Sequence, residues 1–400
     1  MKIAISHTRY SYVGGVEKYI YSLVERLLDA GHEVHYFCHF WEPNADPRIR
    51  FHKVPNPFKP IRSLKVWSFD RLSERAIAKE NFDVIHGFTK TSRQDIYTDG
   101  SGCLLDYQEY TLSDSDSGSS FAQSLRRNSL HQRQIERIER ARFTRGNFQR
   151  IVAMSRLAQQ QIVTRYGLSE DEVPVIYNGV DYQNFNPEKT RNRREPMREQ
   201  LNYLEKDFVV LLIANDYQRK GLRTLIEAAD IIEKRGGLPN GRRLQVAVVG
   251  KERHTREQVL YKLVKELGLY QRVRFFGPQR EIPEWHAMSD LHALPSRFDI
   301  FGNVVLEAMA MGIPALVSKK AGAAEVVVDG ETGFTFDDPK DSQAWADRII
   351  ECAADPKRYE AMCEASRVEA VKYSWDRHFE QMLEIYKEIA VGKKAEQPAA

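Results

Sequence analysis

The sequence predicts an α/β protein of two doubly wound, Rossmann-like domains that face each other across a cleft. Length is the first reason: 400 residues exceed the size at which one hydrophobic core normally stops growing, so the chain divides. The second is an alternation of short apolar runs with helical patterns, which reads as a mostly parallel sheet flanked by helices. The third is that this alternation halts in a polar, proline-punctuated stretch and then starts again.

In the first half the apolar runs fall at 2–6, 33–39, 51–54, 83–87, 95–98, 150–155 and 173–177. Between the first two, Val16, Tyr19, Ile20, Leu23, Val24, Leu27 and Leu28 recur at helical spacing, and Gly31 supplies the C-terminal cap of a βαβ unit. Polar residues and prolines from 182 to 206 interrupt the series. It resumes at 208–214, 244–250, 273–277, 291–295, 314–318 and 333–336, with helical segments in every gap. There is no short-period repeat, only the same topology twice. The expected organisation is an N-terminal domain over 1–180, a linker over 181–206, a C-terminal domain over 207–374, a helix over 375–391 that returns to the N-terminal domain, and a frayed tail over 392–400.

Composition narrows the function classes. With 42% hydrophobic and 29% charged residues the chain is a folded, non-fibrous one. A net charge of +3 is too small to point to nucleic acid, so any basic surface is local. Cys38, Cys103, Cys352 and Cys363 lack the paired spacing of a zinc or redox centre and read as packing residues of a reducing compartment. Residues 1–6 enter a strand pattern without a charged leader and apolar h-region, and no run approaches about 18 apolar residues. A cytoplasmic protein is expected.

Ligands of open α/β sheets bind beyond the carboxyl ends of the strands, where loops lead into helix N-termini. The loop after the first strand carries Gly14 and Gly15 directly before a helix. Such glycines admit close backbone approach and aim free N–H groups at an anion. The same pair also makes a plain tight turn, and no G-x-G-x-x-G follows to indicate a dinucleotide. In the second half the first strand runs into Asn215, Asp216, Tyr217, Gln218, Arg219, Lys220 and Gly221. A guanidinium fork beside a compact ammonium suits a diphosphate; a solvated helix start is the alternative, although cations there oppose the helix dipole.

The most informative stretch is 296–314. A strand ends before it, a helix starts near Gly302, and Gly312 with Pro314 stops it. Asp299 then lies in the loop and Glu307 about one turn into the helix. Two carboxylates and the amides of Gly302, Asn303 and Val304 can grip hydroxyls and phosphate together. Alternatively, the acids merely favour the helix dipole.

Taken in order, Gly14-Gly15-Val16-Glu17, then Ile176-Tyr177-Asn178-Gly179-Val180-Asp181, then Arg219-Lys220-Gly221, then Asp299 followed by Phe301-Gly302-Asn303-Val304-Val305-Leu306-Glu307-Ala308-Met309-Ala310, resemble the retaining GT-B glycosyltransferases of family 4, group 1. The likeness covers nearly the whole chain. The family's paired acids are separated by seven residues, as Asp299 and Glu307 are, with aspartate replacing the usual first glutamate. The resemblance implies that Arg219 and Lys220 neutralise the donor diphosphate, that Glu307 holds the ribose hydroxyls and that Asp299 holds the transferred sugar. It implies further that Phe301, Gly302, Asn303 and Val304 belong to the donor site, the last three presenting backbone amides, and that Gly14 and Gly15 close over the donor from the other domain. Gly250 and the turn at Gly277 would line the nucleotide pocket. Gly87-Phe88 with Lys90, Asp95 and Tyr97 resembles the bacterial lipopolysaccharide core glucosyltransferases, which makes Lys90 and Asp99 candidate acceptor contacts; Asp99 also suits its glycine-rich turn for backbone reasons alone. His86 is followed by Gly87 and Phe88 where many relatives carry a second histidine, so no catalytic histidine is expected there.

No nucleophile stands out. Retention then implies that the acceptor hydroxyl attacks on the face the diphosphate leaves, with the leaving phosphate taking the proton. Charge stabilisation by Arg219 and Lys220 outweighs any general base on this reading. No cofactor or metal is expected. Asp114-Ser115-Asp116 looks like the acidic metal motif of another glycosyltransferase fold, but its Ser/Asp/Gly-rich setting has no strand to deliver it. The basic stretch Arg126 to Arg150 either docks on an anionic membrane surface and reaches a lipid-linked acceptor, or is a solvated helix with internal Glu–Arg pairing. The expected function is transfer of a hexose from a nucleotide diphosphate sugar to a glycan or lipid-linked acceptor, in lipopolysaccharide core or related cell-surface polysaccharide synthesis. UDP-glucose is the first donor expected, followed by UDP-galactose, UDP-N-acetylglucosamine and GDP-mannose. A nucleotide-sugar epimerase or phosphorylase of the same fold, and a non-enzymatic nucleotide-sugar sensor, are the alternatives.

Overall fold

The computed structural model describes residues 1–396 except 13, 59, 89, 114–128 and 253. The chain divides into two units, one of Met1–Asn178 with the residues from Trp375 onward, the other of Gly179–Ser374. The first unit contains β1 (Lys2–Ser6), β2 (Arg9–Tyr10), β3 (Glu33–Cys38), β4 (Phe40–Trp41), β5 (Arg50–Lys53), β6 (Val84–Gly87), β7 (Ile96–Asp99) and β8 (Arg150–Ala153). Six of these form one parallel sheet, ordered β5-β3-β1-β6-β7-β8, while β2 and β4 pair separately. The second unit contains β9 (Asp207–Ala214), β10 (Arg243–Gly250), β11 (Val273–Gly277), β12 (Leu291–Leu294), β13 (Ala315–Ser318) and β14 (Gly333–Phe336), again a parallel sheet, ordered β11-β10-β9-β12-β13-β14. Each order reverses direction once, between β1 and β6 and between β9 and β12, which is where a doubly wound sheet leaves its ligand crevice.

Both faces of such a sheet are covered by helices, so its central strands are apolar throughout. β9 shows this. Phe208, Val210, Leu212 and Ala214 pack on one side with Leu225, Ala229 and Trp345. Val209 and Leu211 pack on the other with Trp285, Met288 and Tyr203.

Three expectations are corrected. The run at 173–177 is not a strand: it makes one isolated bridge, Ala153 with Val175. Pro174 has no N–H to give a ladder, and accepts at 3.0 Å from the N–H of Ala153. The stretch 181–206 is no free linker but part of the second unit, with helices Pro187–Thr190 and Arg194–Gln200. Arg194 and the buried Arg198 anchor it by donating to Asp290 at 2.7 and 3.3 Å, and Arg198 also donates to the carbonyl of Met288 at 3.0 Å. Finally, the C-terminal helix runs over Trp375–Glu396, past the expected frayed start of the tail at 392. Lys393 holds that last turn by donating to Asp95 at 2.5 Å.

The C-terminal helix packs in the first unit through buried polar contacts. Tyr386 meets His86 Nδ1 at 2.6 Å, and His86 Nε2 meets Thr98 at 2.8 Å. His378 bridges the Tyr19 hydroxyl at 2.8 Å and the Tyr177 carbonyl at 2.7 Å. Burial drives the pKa of His86 well below the ordinary histidine value, and His378 beside it adds to this. His86 is thus neutral and held between Tyr386 and Thr98. Among the described residues no helix is long and apolar enough to cross a membrane.

Candidate donor site at the second sheet edge

The strand-order reversal sets β12 directly beside β9, with Leu291 opposite Val210 and His292 opposite Leu211. The loop after β9 therefore meets the loop after β12. Asp216 shapes the first of these: its carboxylate accepts from the N–H of Arg219 at 3.0 Å and its carbonyl from the N–H of Lys220 at 3.0 Å. Gly221 then turns with φ 75°, and a Cβ there would lie 1.9 Å from the carbonyl oxygen of Pro295. Only glycine allows the two loops to approach so closely. The N–H of Arg297 donates to the carbonyl of Arg219 at 2.8 Å and closes the junction.

Arg219, Lys220 and Asp299 converge at this junction. Lys220 Nζ is hydrogen-bonded to Asp299 Oδ2. Arg219 Nη1 donates to the carbonyl of Phe298 at 2.9 Å and lies 3.8 Å from Asp299 Oδ1. Side-chain exposure is only 11% for Lys220 and 14% for Asp299. Burial lowers the Lys220 pKa, against the opposing pull of Asp299. Burial alone would raise Asp299, but Lys220 and then Arg219 outweigh it and hold the carboxyl below its ordinary range. The result is a fixed anion among three charges, two of them positive.

Helix Asn303–Ala310 begins beside this cluster. Gly302 precedes it with φ 101°, where a Cβ would lie 2.8 Å from Leu294 Cδ2, and no side chain caps the helix end. Uncapped first-turn amides favour an anion. Phe301 is buried, and its carbonyl accepts from the N–H of Ala323 at 2.8 Å, which ties the segment to the loop after β13. Glu307 lies one turn further on, half-buried, 3.9 Å from His286 Nε2. Sequence reasoning missed His286 and its neighbour His292. Both are wholly buried, and their ring nitrogens have no hydrogen-bond partner among the described residues. A histidine inside the apolar run of β12 was the available signal.

The other candidates divide. Gly250 has φ 122°, and a Cβ there would strike the Ala214 carbonyl at 1.8 Å, so it lets β10 close on the end of β9. Gly277, with φ 65°, faces no described atom within 4 Å of such a Cβ. In the first unit Gly14 has φ 118°, and the Glu17 carboxylate occupies the place of its missing side chain, 2.2 Å from an ideal Cβ. Gly15 is exposed and starts helix Gly15–Asp29. Lys90 is exposed beyond β6. Asp99 is buried at the end of β7, accepts from the N–H of Gly102 at 3.1 Å, and is pushed up to about 6 by burial and then by Glu139.

Of the basic stretch, Arg126 and Arg127 lie outside the described residues, as do Asp114, Ser115 and Asp116. The rest is largely committed within the fold. Arg140 pairs with Glu136, Arg145 with Glu172 and Arg150 with Glu388, while Arg142 is buried over the ring of Tyr97 at 3.9 Å. Arg133 and Arg137 are exposed.

Comparison with known proteins agrees with the fold. The family described as "Glycosyl transferases group 1" matches residues 193–369, and "Glycosyltransferase Family 4" matches residues 13–94. D-inositol 3-phosphate glycosyltransferase of Corynebacterium urealyticum is 29% identical over 56% of this chain and 53% of its own length. The protein of the same name from Thermomonospora curvata is 31% identical over 59% and 56%. The chain thus spans about half the length of the curated relatives it matches. Among solved structures, WaaG, a glycosyltransferase involved in lipopolysaccharide biosynthesis, superposes with a TM-score of 0.79 at 20% identity, over 96% of this chain and 99% of WaaG. HepE of Anabaena, in complex with UDP-glucose, gives 0.69 at 21% identity over 99% and 100%. With two parallel six-stranded sheets of this order and matches in both units, the chain has the GT-B fold and belongs to the group 1, family 4 glycosyltransferases.

Proposed function

We propose that this chain is a retaining hexosyltransferase that moves a hexose from a nucleotide diphosphate to a glycan or lipid-linked acceptor. The observation that carries the reading is the convergence of Arg219 and Lys220 on Asp299, beside an uncapped helix start, at the carboxyl edges of β9 and β12. Such a set neutralises a diphosphate with two cations and first-turn amides, and keeps one ionised carboxylate for sugar hydroxyls. Glu307 takes the ribose diol, and the amides of Gly302, Asn303 and Val304 take sugar and phosphate oxygens. Gly250 and Gly277 border the nucleotide, and in the first unit Lys90 and Asp99 serve the acceptor.

In the proposed step the acceptor oxygen bonds to the anomeric carbon on the face from which the phosphate oxygen departs. The acceptor proton passes to that phosphate. Arg219 and Lys220 stabilise the charge that develops as the bond breaks, so no separate base is needed. We assign UDP-glucose as the first donor, supported by the UDP-glucose complex of HepE. For the acceptor we favour a glycan or lipid-linked sugar of lipopolysaccharide core or related surface polysaccharide, supported by the likeness to WaaG. The names of the curated relatives favour a second acceptor class, a phosphorylated polyol. We place the reaction in the cytoplasm, with a lipid-linked acceptor at the inner face of the membrane and Arg133 and Arg137 available to its anionic surface.

Incubation of the chain with labelled nucleotide sugars and both acceptor classes, read by mass spectrometry, tests the reading. Transfer supports it. Isomerised donor, phosphorolysis or binding without product points instead to an epimerase, a phosphorylase or a sensor. Alanine at Arg219 or Lys220 lowers turnover about a hundredfold or more, and near-normal rates in both variants reject the assignment.

A further inference from the structure

We propose that His35, His52 and Glu80, which the glycosyl-transfer reading does not use, form a site for a divalent transition-metal ion, specifically Zn2+. The three come from separate parts of the first unit: the middle of β3, the edge strand β5, and the turn after helix Arg62–Ile77. One ligand atom from each lies within 4.8 Å of the others. The β3–β5 register sets Phe37 opposite His52, and side chains two apart share a sheet face, so both imidazoles lie on the face that Phe37 shares with Phe69 and Ile77 of that helix.

The hydrogen bonds define the donor set. His35 Nε2 lies 2.8 Å from a carboxylate oxygen of Glu33 and must donate to it, since a carboxylate only accepts. That leaves the lone pair on Nδ1, which points at His52 Nε2, 2.8 Å away, and lies 3.9 Å from Glu80 Oε2. Glu33 is itself held by Arg50 at 2.6 Å. A carboxylate fixing the far nitrogen of an imidazole is the arrangement that orients metal-binding histidines.

A proton now bridges the two rings, from His52 Nε2 to His35 Nδ1. An entering cation takes its place while the proton on His52 Nε2 relocates to the Nδ1 of His52 itself, so both imidazoles stay neutral, each keeps one lone pair for the ion, and no net proton is released. Zn–N bonds of about 2.0–2.1 Å at tetrahedral angles separate ligand atoms by about 3.3 Å. His52 therefore backs away by about half an ångström and Glu80 closes by a similar amount. Each has room, because His52 sits on a sheet edge and the Glu80 side chain is 40% exposed. Lys2, 2.7 Å from Glu80 and also partly exposed, swings out to solvent, and water completes the shell. Two imidazoles with one carboxylate suit zinc over magnesium or calcium. The ion would tie an edge strand and a helix end to the sheet.

Titration of the untagged, metal-stripped full chain with Zn2+ tests this, with Co2+ as the spectroscopic probe. Expected are one ion bound per chain, visible Co2+ absorption that Zn2+ abolishes, and a rise of about 5–10 °C in the Tm of the first unit at a hundredfold excess over Kd. His52→Ala and Glu80→Gln remove the absorption and the shift, while their Tm without metal stays near that of the parent chain; His131→Ala keeps both responses. Absence of stoichiometric binding in the parent chain, or binding undiminished in His52→Ala, overturns the proposal.

Discussion

Replacing Lys220 by methionine probes the buried pair at its centre. Lys220 and Asp299 are 11% and 14% exposed, so the substitution strands a carboxylate whose nearest remaining cation is Arg219, 3.8 Å away. Breaking a buried pair costs about 3–5 kcal/mol, and the surviving arginine sets the expectation at the lower end, about 3 kcal/mol near pH 7. The loss also carries a pH signature with a definite sign. In the parent chain Asp299 lies below its ordinary pKa, so its contribution is present above the unfolded-state value and lost as pH falls through the folded-state one. In Lys220→Met, burial is no longer outweighed and the folded-state pKa rises above the unfolded value. The variant is then penalised as pH climbs from about 4, so the gap between the two proteins widens toward pH 7 and narrows in acid. Urea unfolding read by pulsed hydrogen exchange of β9 peptides isolates the second unit from the first. Adding Asp299→Asn removes the stranded charge and recovers most of the loss. A gap that stays constant from pH 4 to 7, or one below about 0.5 kcal/mol, would show that the pair behaves as an exposed one and refute the reasoning.

Two further substitutions are informative. Gly221 and Gly277 share a left-handed φ of 75° and 65°, but a new Cβ strikes Pro295 only at the first; Gly277→Ala should cost about 1 kcal/mol, and Gly221→Ala about 3 kcal/mol or more with loss of nucleotide-sugar binding. Equal unfolding midpoints would sink the close-approach account. Asp99, raised to about 6 by burial and then by Glu139, favours the fold below its unfolded pKa and loses that stability as pH rises through about 6. Asp99→Asn, still able to accept from Gly102, should therefore gain about 1–3 kcal/mol over the parent near pH 7 and nothing near pH 4, and parallel pH–stability curves would exclude that origin.

The strands were legible because parallel sheets bury both faces, and a run such as 208–214 has no other economical use for its residues. Errors arose wherever a distant partner changed the meaning of a local pattern. Arg194 and Arg198 make 181–206 read as a solvated linker, yet their partner Asp290 lies more than ninety residues away. Lys393 looks like part of a frayed tail until Asp95 is placed beside it. The arginines between 126 and 150 suggest a cationic face, but Glu172 and Glu388, remote in sequence, consume two of them and burial on Tyr97 a third. At 173–177 the miss was local: one proline outweighs four apolar neighbours. Arg219, Lys220 and Asp299 could be found because strand ends could be found. What sequence spacing could not reveal was that Gly221 is the residue permitting their contact, or that the fully buried His286 lies by Glu307.

Aspartate at 299, where the family resemblance implies a glutamate, is open to an equally specific argument. The carboxylate reaches Lys220 with one methylene, and its Oδ2 lies 3.2 Å from where a Gly302 Cβ would be, over the start of helix Asn303–Ala310. Its backbone is clamped on both sides, the N–H to the carbonyl of Lys320 at 3.0 Å and the carbonyl by the N–H of Gly322 at 3.1 Å. A longer acid cannot be accommodated by sliding the loop, so Asp299→Glu advances the charge by about one carbon–carbon bond, roughly 1.5 Å. The charge is kept and its position is lost. On the proposed reading, the extra methylene costs about 1–3 kcal/mol of stability and the KM for nucleotide sugar changes little, while kcat falls by about tenfold to a hundredfold, the cost of displacing an orienting group by an ångström or so. Asp299→Asn serves as the converse control, keeping the shape and removing the charge that Lys220 needs. Full turnover in Asp299→Glu would mean that the site tolerates either acid, and that Asp299 orients the cations and not the sugar.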